Sequence, residues 1–180
     1  MNVLVSKRAS ALILALVLLL TLSACGKKEA AEPSATPLTG LSFSTKDIDG
    51  SKVSSESLFQ QNKITMVNLW TSWCSPCIRE LPELDALYTE YRDRGVAVVG
   101  ILLDGDDDSA LESAKTLMRK AGVTYTVLRP SADMGSLLEV QYVPTTLFVD
   151  RDGNLIGEVV VGADVQAYRE NLEKLLGENG

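Results

Sequence analysis

The distribution of apolar and polar positions predicts a layered α/β domain over residues 39–180. Residues 64–71 are mostly apolar, which predicts a buried strand. Residues 96–103 are continuously apolar, as expected of a parallel strand covered on both faces. Residues 75–93 and 109–121 place apolar side chains at a helical period. Shorter runs predict a helical turn at 55–59, strands at 124–128, 145–149 and 155–161, a short helix at 134–141 and a last helix at 163–176. This order predicts a mixed sheet flanked by helices.

Glycines mark the predicted turns between these elements. Asp49 and Gly50 lie within residues 41–53, which predicts an N-terminal β-hairpin. Asp152 and Gly153 separate the last two strands in the same way. Gly95 follows the helix at 75–93, at the position where a glycine commonly ends a helix.

The first 24 residues have the pattern of a bacterial export signal. Lys7 and Arg8 precede an apolar run at 11–20, which is short for a bilayer span. Residues 22–25 (LSAC) resemble a lipobox, in which the cysteine, here Cys25, is lipidated. An ordinary signal peptide that ends in a chance cysteine is the alternative. Residues 25–38 are polar and contain two prolines, which predicts a flexible tether to the membrane.

Composition narrows the range of possible chemistry. The formal net charge is −7, which argues against nucleic acid as a partner. The chain contains no histidine, which excludes a Ser-His-Asp triad and the common zinc sites. Of the three cysteines, lipidation of Cys25 would leave Cys74 and Cys77 as a pair. We therefore expect no metal and no cofactor besides a redox-active disulfide.

Cys74 and Cys77 lie where the strand at 64–71 passes into the helix at 75–93. A thiol in the first turn of a helix meets unpaired N–H groups and the positive end of the helix dipole, and both favour the thiolate. The spacing also allows the second sulfur to close a small disulfide ring with the first. The sequence thus predicts a reversible dithiol/disulfide pair, with a purely structural disulfide as the alternative.

Two separated motifs resemble the thioredoxin superfamily. They are VNLWTSWCSPC followed by RELPEL, and YVPTTLFVDRDG further along the chain. Within the superfamily the chain resembles the extracytoplasmic TlpA/ResA-like thiol–disulfide oxidoreductases, over about residues 40–178. The predicted helix and strand at 109–128 match an insertion of that branch. The resemblance implies a thioredoxin-like mixed sheet with an N-terminal hairpin and an inserted helix–strand unit.

The resemblance also implies roles for four residues. Cys74 matches the attacking and more exposed thiolate, and Cys77 matches the resolving thiol. Pro144 matches a cis-proline that faces the dithiol, and Val143 matches the residue that offers backbone groups to a substrate strand. A trans-proline at a strand entry is the alternative for Pro144.

Further residues near the motif are candidates for supporting roles. Glu80 lies one helical turn beyond Cys77, and a glutamate here in the resembled branch tunes the protonation of the dithiol; a solvated helix residue is the alternative. Asn68 stands where cytoplasmic thioredoxins carry a buried aspartate. Trp73 is expected to offer an apolar rim to partner peptides, whereas Trp70 is expected in the core.

The resemblance implies a lipid-anchored protein on the extracytoplasmic face of the bacterial membrane. We expect a reductant of substrate-protein disulfides, with apocytochrome c or an oxidised methionine sulfoxide reductase as candidate substrates and a membrane thiol transporter as electron donor. The alternatives are a disulfide oxidase or isomerase and a copper(I) metallochaperone. Thr71 resembles a peroxiredoxin residue, but Val67 replaces the proline of those enzymes, which argues against a peroxidase.

Overall fold

A computed structural model describes residues 40–178 of the chain. The predicted signal peptide, the predicted tether at 25–38 and the lipidation site Cys25 lie outside these residues. None of the helices in this range is both long enough and apolar enough to span a bilayer.

The order of the elements agrees with the α/β pattern of the sequence. The chain forms β1 (Ser44–Lys46), β2 (Lys52–Ser54), α1 (Ser55–Phe59), β3 (Ile64–Trp70), α2 (Ser75–Tyr91), β4 (Val96–Leu102), α3 (Asp108–Ala121), β5 (Thr126–Leu128), β6 (Thr145–Val149), β7 (Leu155–Val161) and α4 (Val165–Glu178).

The central sheet has the strand order β5-β4-β3-β6-β7. β3 pairs in parallel with β4, and β4 pairs in parallel with β5. β6 is antiparallel to both β3 and β7. The predicted mixed sheet is therefore confirmed, with β3 buried along its full length at the centre.

The sheet is covered on both faces because alternate residues of β3 point to opposite sides. One hydrophobic cluster joins the β3 residue Met66 to Leu84 of α2 and Leu172 of α4. The other joins the neighbouring β3 residue Val67 to Phe59 of α1. The N-terminus of α2, where the two cysteines lie, is thus supported by a packed three-layer structure.

The predicted N-terminal hairpin is present and lies along the β5 edge of the sheet. Its turn is closed by the carboxylate of Asp47, which accepts the amide N–H groups of Asp49 and Ser51 at 3.0 and 2.8 Å. Backbone hydrogen bonds join Ile48 N–H to the carbonyl of Val127 at 3.0 Å, and Arg129 N–H to the carbonyl of Lys46 at 2.9 Å. The hairpin therefore covers an edge strand that would otherwise be open to pairing.

Three predicted boundaries are wrong for local reasons. The strand predicted from residue 124 begins at Thr126, because the amide and hydroxyl groups of Thr124 donate to the carboxylate of Asp85. The last helix begins two residues late, since the Asp164 side chain caps it through the amide of Ala167 at 3.0 Å. The helix predicted at 134–141 is a 3₁₀ segment, Ala132–Leu138, interrupted where Gly135 leaves helical geometry (φ 49°, ψ −127°).

The central helix also ends slightly earlier than predicted. α2 stops at Tyr91 and passes into a 3₁₀ turn, Arg92–Arg94. Gly95 then adopts a left-handed conformation with φ 87°, which glycine accommodates without steric cost. Gly95 therefore ends the helical segment, as the sequence predicted, and it leads directly into β4.

Candidate active site

Cys74 is the N-cap residue of α2, and a disulfide bond joins it to Cys77. The backbone at Cys74 is extended (φ −77°, ψ 102°), and its Sγ accepts the amide N–H of Cys77 at 3.3 Å. The sulfur of Cys74 thus occupies the place of a capping oxygen, where unpaired helix N–H groups point. This environment favours negative charge on Cys74 once the disulfide is reduced.

The turn between β3 and α2 is fixed by a carboxylate from the neighbouring strand connection. Ser72 donates its amide N–H to both oxygens of Asp104 at 3.1 Å and its hydroxyl to Oδ2 at 2.7 Å. The amide of Cys74 donates to the carbonyl of Thr71 at 3.2 Å. Because β3 and β4 are parallel, their carboxyl ends meet at one edge, and Asp104 there positions the turn before the dithiol.

A loop from the other half of the chain faces Cys74. The Val143–Pro144 peptide bond is cis, as the resemblance implies, and the trans alternative is wrong. The carbonyl oxygen of Val143 lies 3.6 Å from Cys74 Sγ. The loop is held by Thr145, whose hydroxyl donates to the carbonyl of Tyr142 at 2.8 Å, and by the Gly162 amide, which donates to the carbonyl of Pro144 at 2.8 Å.

The segment that contains Cys74 and the loop that faces it each carry one exposed aromatic residue. Trp73, next to Cys74, is 72% exposed, and Tyr142, next to Val143, is 67% exposed. The cysteines themselves are buried, with exposed fractions of 4% for Cys74 and 1% for Cys77, so Cys74 is only slightly the more exposed. Trp70 is fully buried in the core, as predicted.

Glu80 is buried, with an exposed fraction of 3%, so the solvated alternative is wrong. Its Oε1 accepts the side-chain amide of Asn68 at 3.0 Å, and its Oε2 lies 3.0 Å from the hydroxyl oxygen of Tyr168. Burial raises the pKa of Glu80 from 4.5 to about 7, the negative charge of Glu83 adds to the rise, and the hydrogen bonds from Asn68 and Tyr168 oppose it. A carboxyl with this pKa exchanges its proton near neutral pH.

The structure brings together most of the predicted site residues. Cys74, Cys77 and Val143 meet at the N-terminus of α2, with Pro144 in the facing loop and an exposed Trp73 next to Cys74 in the chain. Glu80 lies one helical turn further along α2, inside the core.

Two residues of the site were not anticipated from the sequence. Asp104 belongs to an acidic run at 104–108, which gives no indication that one carboxylate holds the turn before Cys74. Tyr168 occupies an apolar position of α4, and its contact with Glu80 spans 88 residues of sequence. Only the folding of α4 against α2 reveals that contact.

Within residues 40–178, no group of three or more His, Cys, Asp or Glu side chains is arranged to hold a metal ion. The chemistry that the site offers is that of two sulfur atoms, a nearby buried carboxyl and a backbone loop.

Comparison with known proteins agrees with this geometry. Residues 39–157 match the family model described as AhpC/TSA family. The chain belongs to the AhpC/TSA family. The chain is also similar to proteins named "Thiol-disulfide oxidoreductase ResA". The one from Bacillus thuringiensis (strain Al Hakam) is 27% identical over 122 residues, which cover 66% of this chain and 65% of that protein.

A second relative of the same name, from Oceanobacillus iheyensis, is 31% identical over 120 residues, or 66% of this chain and 59% of that protein. The matches thus span somewhat less than two thirds of the length of these relatives. The crystal structure of a "thiol:disulfide interchange protein, thioredoxin family protein" from Chlorobium tepidum TLS is 27% identical. It aligns with a TM-score of 0.64 and covers 79% of this chain and 98% of that one. The thioredoxin-like fold and the resemblance to ResA-like proteins are therefore confirmed.

Proposed function

We propose that this protein is an extracytoplasmic thiol–disulfide oxidoreductase that reduces disulfide bonds in substrate proteins. The observation that carries the proposal is the disulfide at the N-terminus of α2, with Cys74 Sγ 3.6 Å from the backbone carbonyl of Val143. A disulfide with a purely structural purpose gains nothing from this position. A reactive one gains a stabilised thiolate and a backbone segment beside it.

In the proposed reaction Cys74 acts first. Its thiolate attacks one sulfur of a substrate disulfide, a bond forms between Cys74 and that sulfur, and the other substrate sulfur leaves as a thiolate. The thiolate of Cys77 then attacks Cys74 Sγ and releases the first substrate sulfur. The substrate disulfide is thereby reduced by two electrons, and the Cys74–Cys77 disulfide is formed.

Glu80 is the proposed acceptor of the proton that Cys77 loses before it attacks. Both residues are buried on α2, three positions apart, which places them on one face of the helix. A carboxyl with a pKa of about 7 is matched to proton transfer near neutral pH. A solvated carboxylate with an ordinary pKa is a much weaker base for a thiol.

The substrate segment is proposed to lie along the loop that faces Cys74. Val143 offers backbone hydrogen-bonding groups, and the exposed rings of Trp73 and Tyr142 offer apolar contact on the two segments beside the dithiol. Exposed aromatic residues of this kind are common at protein interfaces. The site is therefore suited to an extended peptide that contains a disulfide, such as apocytochrome c or an oxidised methionine sulfoxide reductase.

We further propose that lipid on Cys25 holds the domain at the outer face of the cytoplasmic membrane. The support is the order of basic residues, apolar run and LSAC in the sequence. In that compartment the dithiol must be regenerated by an external donor, for which a membrane thiol transporter is the candidate. Metabolic labelling with a radioactive fatty acid tests the anchor: we expect label on the wild type and none on Cys25→Ser.

Trapping of mixed disulfides tests the mechanism. The Cys77→Ser variant retains the attacking sulfur but cannot resolve the intermediate, so we expect it to accumulate covalent adducts with partner proteins in intact cells. The matched control is Cys74→Ser, which should trap none. Mass spectrometry of the adducts identifies the substrates, and absence of adducts from Cys77→Ser would contradict the proposed mechanism.

The reduction potential of the Cys74–Cys77 couple tests the direction of electron flow. Equilibration with defined glutathione or dithiothreitol ratios should give a value near or below about −220 mV, in the range of thioredoxins and glutaredoxins. A value near about −120 mV, like that of the strong periplasmic oxidant, would instead make the protein a disulfide donor.

A further inference from the structure

The hydroxyl group of Tyr168 lies between two acceptors inside the core. Its oxygen is 3.0 Å from Glu80 Oε2 and 2.9 Å from the carbonyl oxygen of Gly162. Tyr168 is fully buried. The amide of the same Gly162 donates to the carbonyl of Pro144 at 2.8 Å. A continuous series of hydrogen bonds thus runs from Glu80 to the loop that faces Cys74.

The number of hydrogen atoms in this series depends on the charge of Glu80. A tyrosine hydroxyl carries one hydrogen and can also accept one. When Glu80 is protonated, its own O–H donates to Tyr168, and Tyr168 is free to donate to Gly162. When Glu80 is ionised, a charge-assisted bond to the carboxylate is the stronger choice for the single hydrogen. The Gly162 carbonyl then loses its donor.

We propose that Tyr168 is a positioning residue of this site: its hydroxyl transmits the protonation state of Glu80 to the backbone of Gly162 and, through it, to Pro144 opposite Cys74. The meaning of this link for catalysis rests on the proposed function. The link itself is a property of the folded protein and is independent of any substrate.

Of the groups that surround Glu80, Tyr168 is the one whose hydroxyl can change its partner. The phenol of Tyr168 also interacts with the hydroxyl of Thr146 and with the backbone of Asp164, and neither of these groups titrates. Asn68 from β3 donates to Oε1 and also to the hydroxyl of Thr146 on β6 at 3.1 Å, so its amide can only donate. Glu83 on α2 acts by charge alone, and Tyr125, which precedes β5, interacts with Glu80 electrostatically.

Tyr168 remains protonated throughout this process. Burial and the proximity of Glu80 raise the pKa of its phenol well above the ordinary value. The group therefore supplies a hydrogen that changes partner, and no charge is formed on the ring. Glu80, with a pKa of about 7, sets the pH at which the change occurs.

The consequence for the site is a change in how the facing loop is held. With Glu80 protonated, Gly162 is fixed on both sides, through its carbonyl by Tyr168 and through its amide by Pro144. With Glu80 ionised, one of these two bonds is lost. Transfer of a proton from Cys77 to Glu80 would thus tighten the loop that is proposed to hold the substrate.

The sequence offers a direct way to observe this link. Gly162–Ala163 is the single Gly-Ala pair in the chain. Labelling the full-length oxidised protein, in detergent, with carbonyl-¹³C glycine and ¹⁵N alanine therefore gives one carbonyl–amide correlation by NMR, and its carbon is that of Gly162. Side-chain carboxyl ¹³C glutamate, assigned by loss of one signal in Glu80→Gln, reports on Glu80.

We expect the Gly162 carbonyl signal to shift with pH at the same midpoint as the Glu80 carboxyl. In Tyr168→Phe the Glu80 signal should still titrate, but the shift of Gly162 should be lost. The matched control is Tyr125→Phe, which removes a buried hydroxyl that interacts with Glu80 but has no hydrogen-bond partner; in this variant the Gly162 carbonyl and the Glu80 carboxyl should still titrate with a common midpoint.

Glu80→Gln provides a second variant that does not depend on the stability of Tyr168→Phe. Its neutral amide mimics the protonated acid and can donate to Tyr168, so the Gly162 signal should stay at its low-pH position at every pH. A Gly162 carbonyl that does not titrate in the wild type, or that still titrates in Glu80→Gln, would overturn the proposal. Failure of Cys77→Ser to trap partners would count against the proposed function alone.

Discussion

At the scale of single residues, burial of the Glu80 carboxyl group makes the free energy of unfolding depend on pH. Its pKa is about 7 in the folded protein, against an ordinary value of 4.5 for an exposed glutamate. Below pH 4.5 both the folded and the unfolded chain hold this proton. Between pH 4.5 and 7 only the folded chain holds it, so the free energy of unfolding falls as pH rises. Above about pH 7 both states are ionised and the decline ends.

The variant Glu80→Gln should remove this decline. The rise in pKa from 4.5 to about 7 corresponds to about 3 kcal/mol between low and high pH, and glutamine is neutral throughout. Denaturant unfolding of the oxidised protein at pH 5 and pH 8 measures the difference. We expect the wild type to lose more stability between these two pH values than Glu80→Gln does; equal losses would show that Glu80 is not titrating in this range.

Replacement of the exposed Trp73 should affect the reaction with protein substrates but not the stability of the fold. Because its side chain is 72% exposed, Trp73→Ala should change the free energy of unfolding by no more than about 0.5 kcal/mol. The same change should raise the KM for a protein disulfide several-fold and leave the reaction with a small disulfide unaltered. Val159→Ala, at an exposed apolar residue of β7, is the control, and an equal effect there would refute a specific role for Trp73.

At the scale of elements, a glycine in β4 decides how closely side chains pack over the sheet. A Cβ atom at Gly100 would lie 3.0 Å from Val127 Cγ2 and 3.2 Å from Trp70 Nε1. Both neighbours are buried, so neither can move into solvent. The absence of a side chain at Gly100 thus allows the ring of Trp70, at the end of β3, to cover the adjacent strand.

Gly100→Ala should therefore destabilise the protein by about 1–3 kcal/mol, the usual cost of an overpacked core. Gly177→Ala in α4 is the matched control, because a Cβ there meets no heavy atom within 4 Å. Alanine favours the helix, so the control should be neutral or gain up to about 1 kcal/mol. Thermal and denaturant unfolding compare the two, and equal effects would contradict the close approach at Gly100.

At the scale of the whole molecule, α4 joins the C-terminal end of the chain to the central layer. Tyr168 and Leu172 are fully buried in the same hydrophobic cluster as residues of α2 and β3. Outside this core, Glu173 accepts hydrogen bonds from Tyr91 and Arg94. These hydrogen bonds, that of Arg94 first, lower the pKa of Glu173 to about 2. Helix α4, which places Tyr168 beside Glu80, is therefore held by buried packing and, in addition, by hydrogen bonds at the surface.

Leu172→Ala should lower the free energy of unfolding by about 2–5 kcal/mol, because it leaves a cavity in this shared cluster. Lys174→Ala, at an exposed position two residues away, should change it by no more than about 0.5 kcal/mol. Denaturant unfolding measures both. A Leu172→Ala variant as stable as the control would mean that α4 contributes little to the core.

The elements that the sequence predicted well are those with long and regular patterns. The strand at 64–71 and the helix at 109–121 each agree with the structure to within one residue, because periodicity and capping act within a few positions of the chain. The segment at 134–141 was predicted poorly. Met134 and Leu137 are buried in the same cluster as Val67 of β3, but the apolar pattern gave no sign that Gly135 between them leaves helical geometry.

The residues of the candidate site also fall into two groups, those that the sequence predicted and those that it did not. The positions of Cys74 and Cys77 at a helix start follow from local pattern, and that of Pro144 follows from a resemblance of motifs. Tyr168 and Asp104 were missed, because each acts on a residue that lies far away in sequence, at separations of 88 and 32 residues. A pattern that is read along the chain contains no information about such partners.

The sequence by itself determined the fold class, the order of the elements and the place of the dithiol at the start of α2. These depend on interactions between near neighbours, which hydrophobic period, glycines and caps specify. Only the tertiary structure decided that Glu80 is buried, that its partners are Asn68 and Tyr168, and that Val143 lies 3.6 Å from Cys74. Burial and pKa depend on which surfaces meet when the helices pack on the sheet, and that contact is a property of the whole molecule.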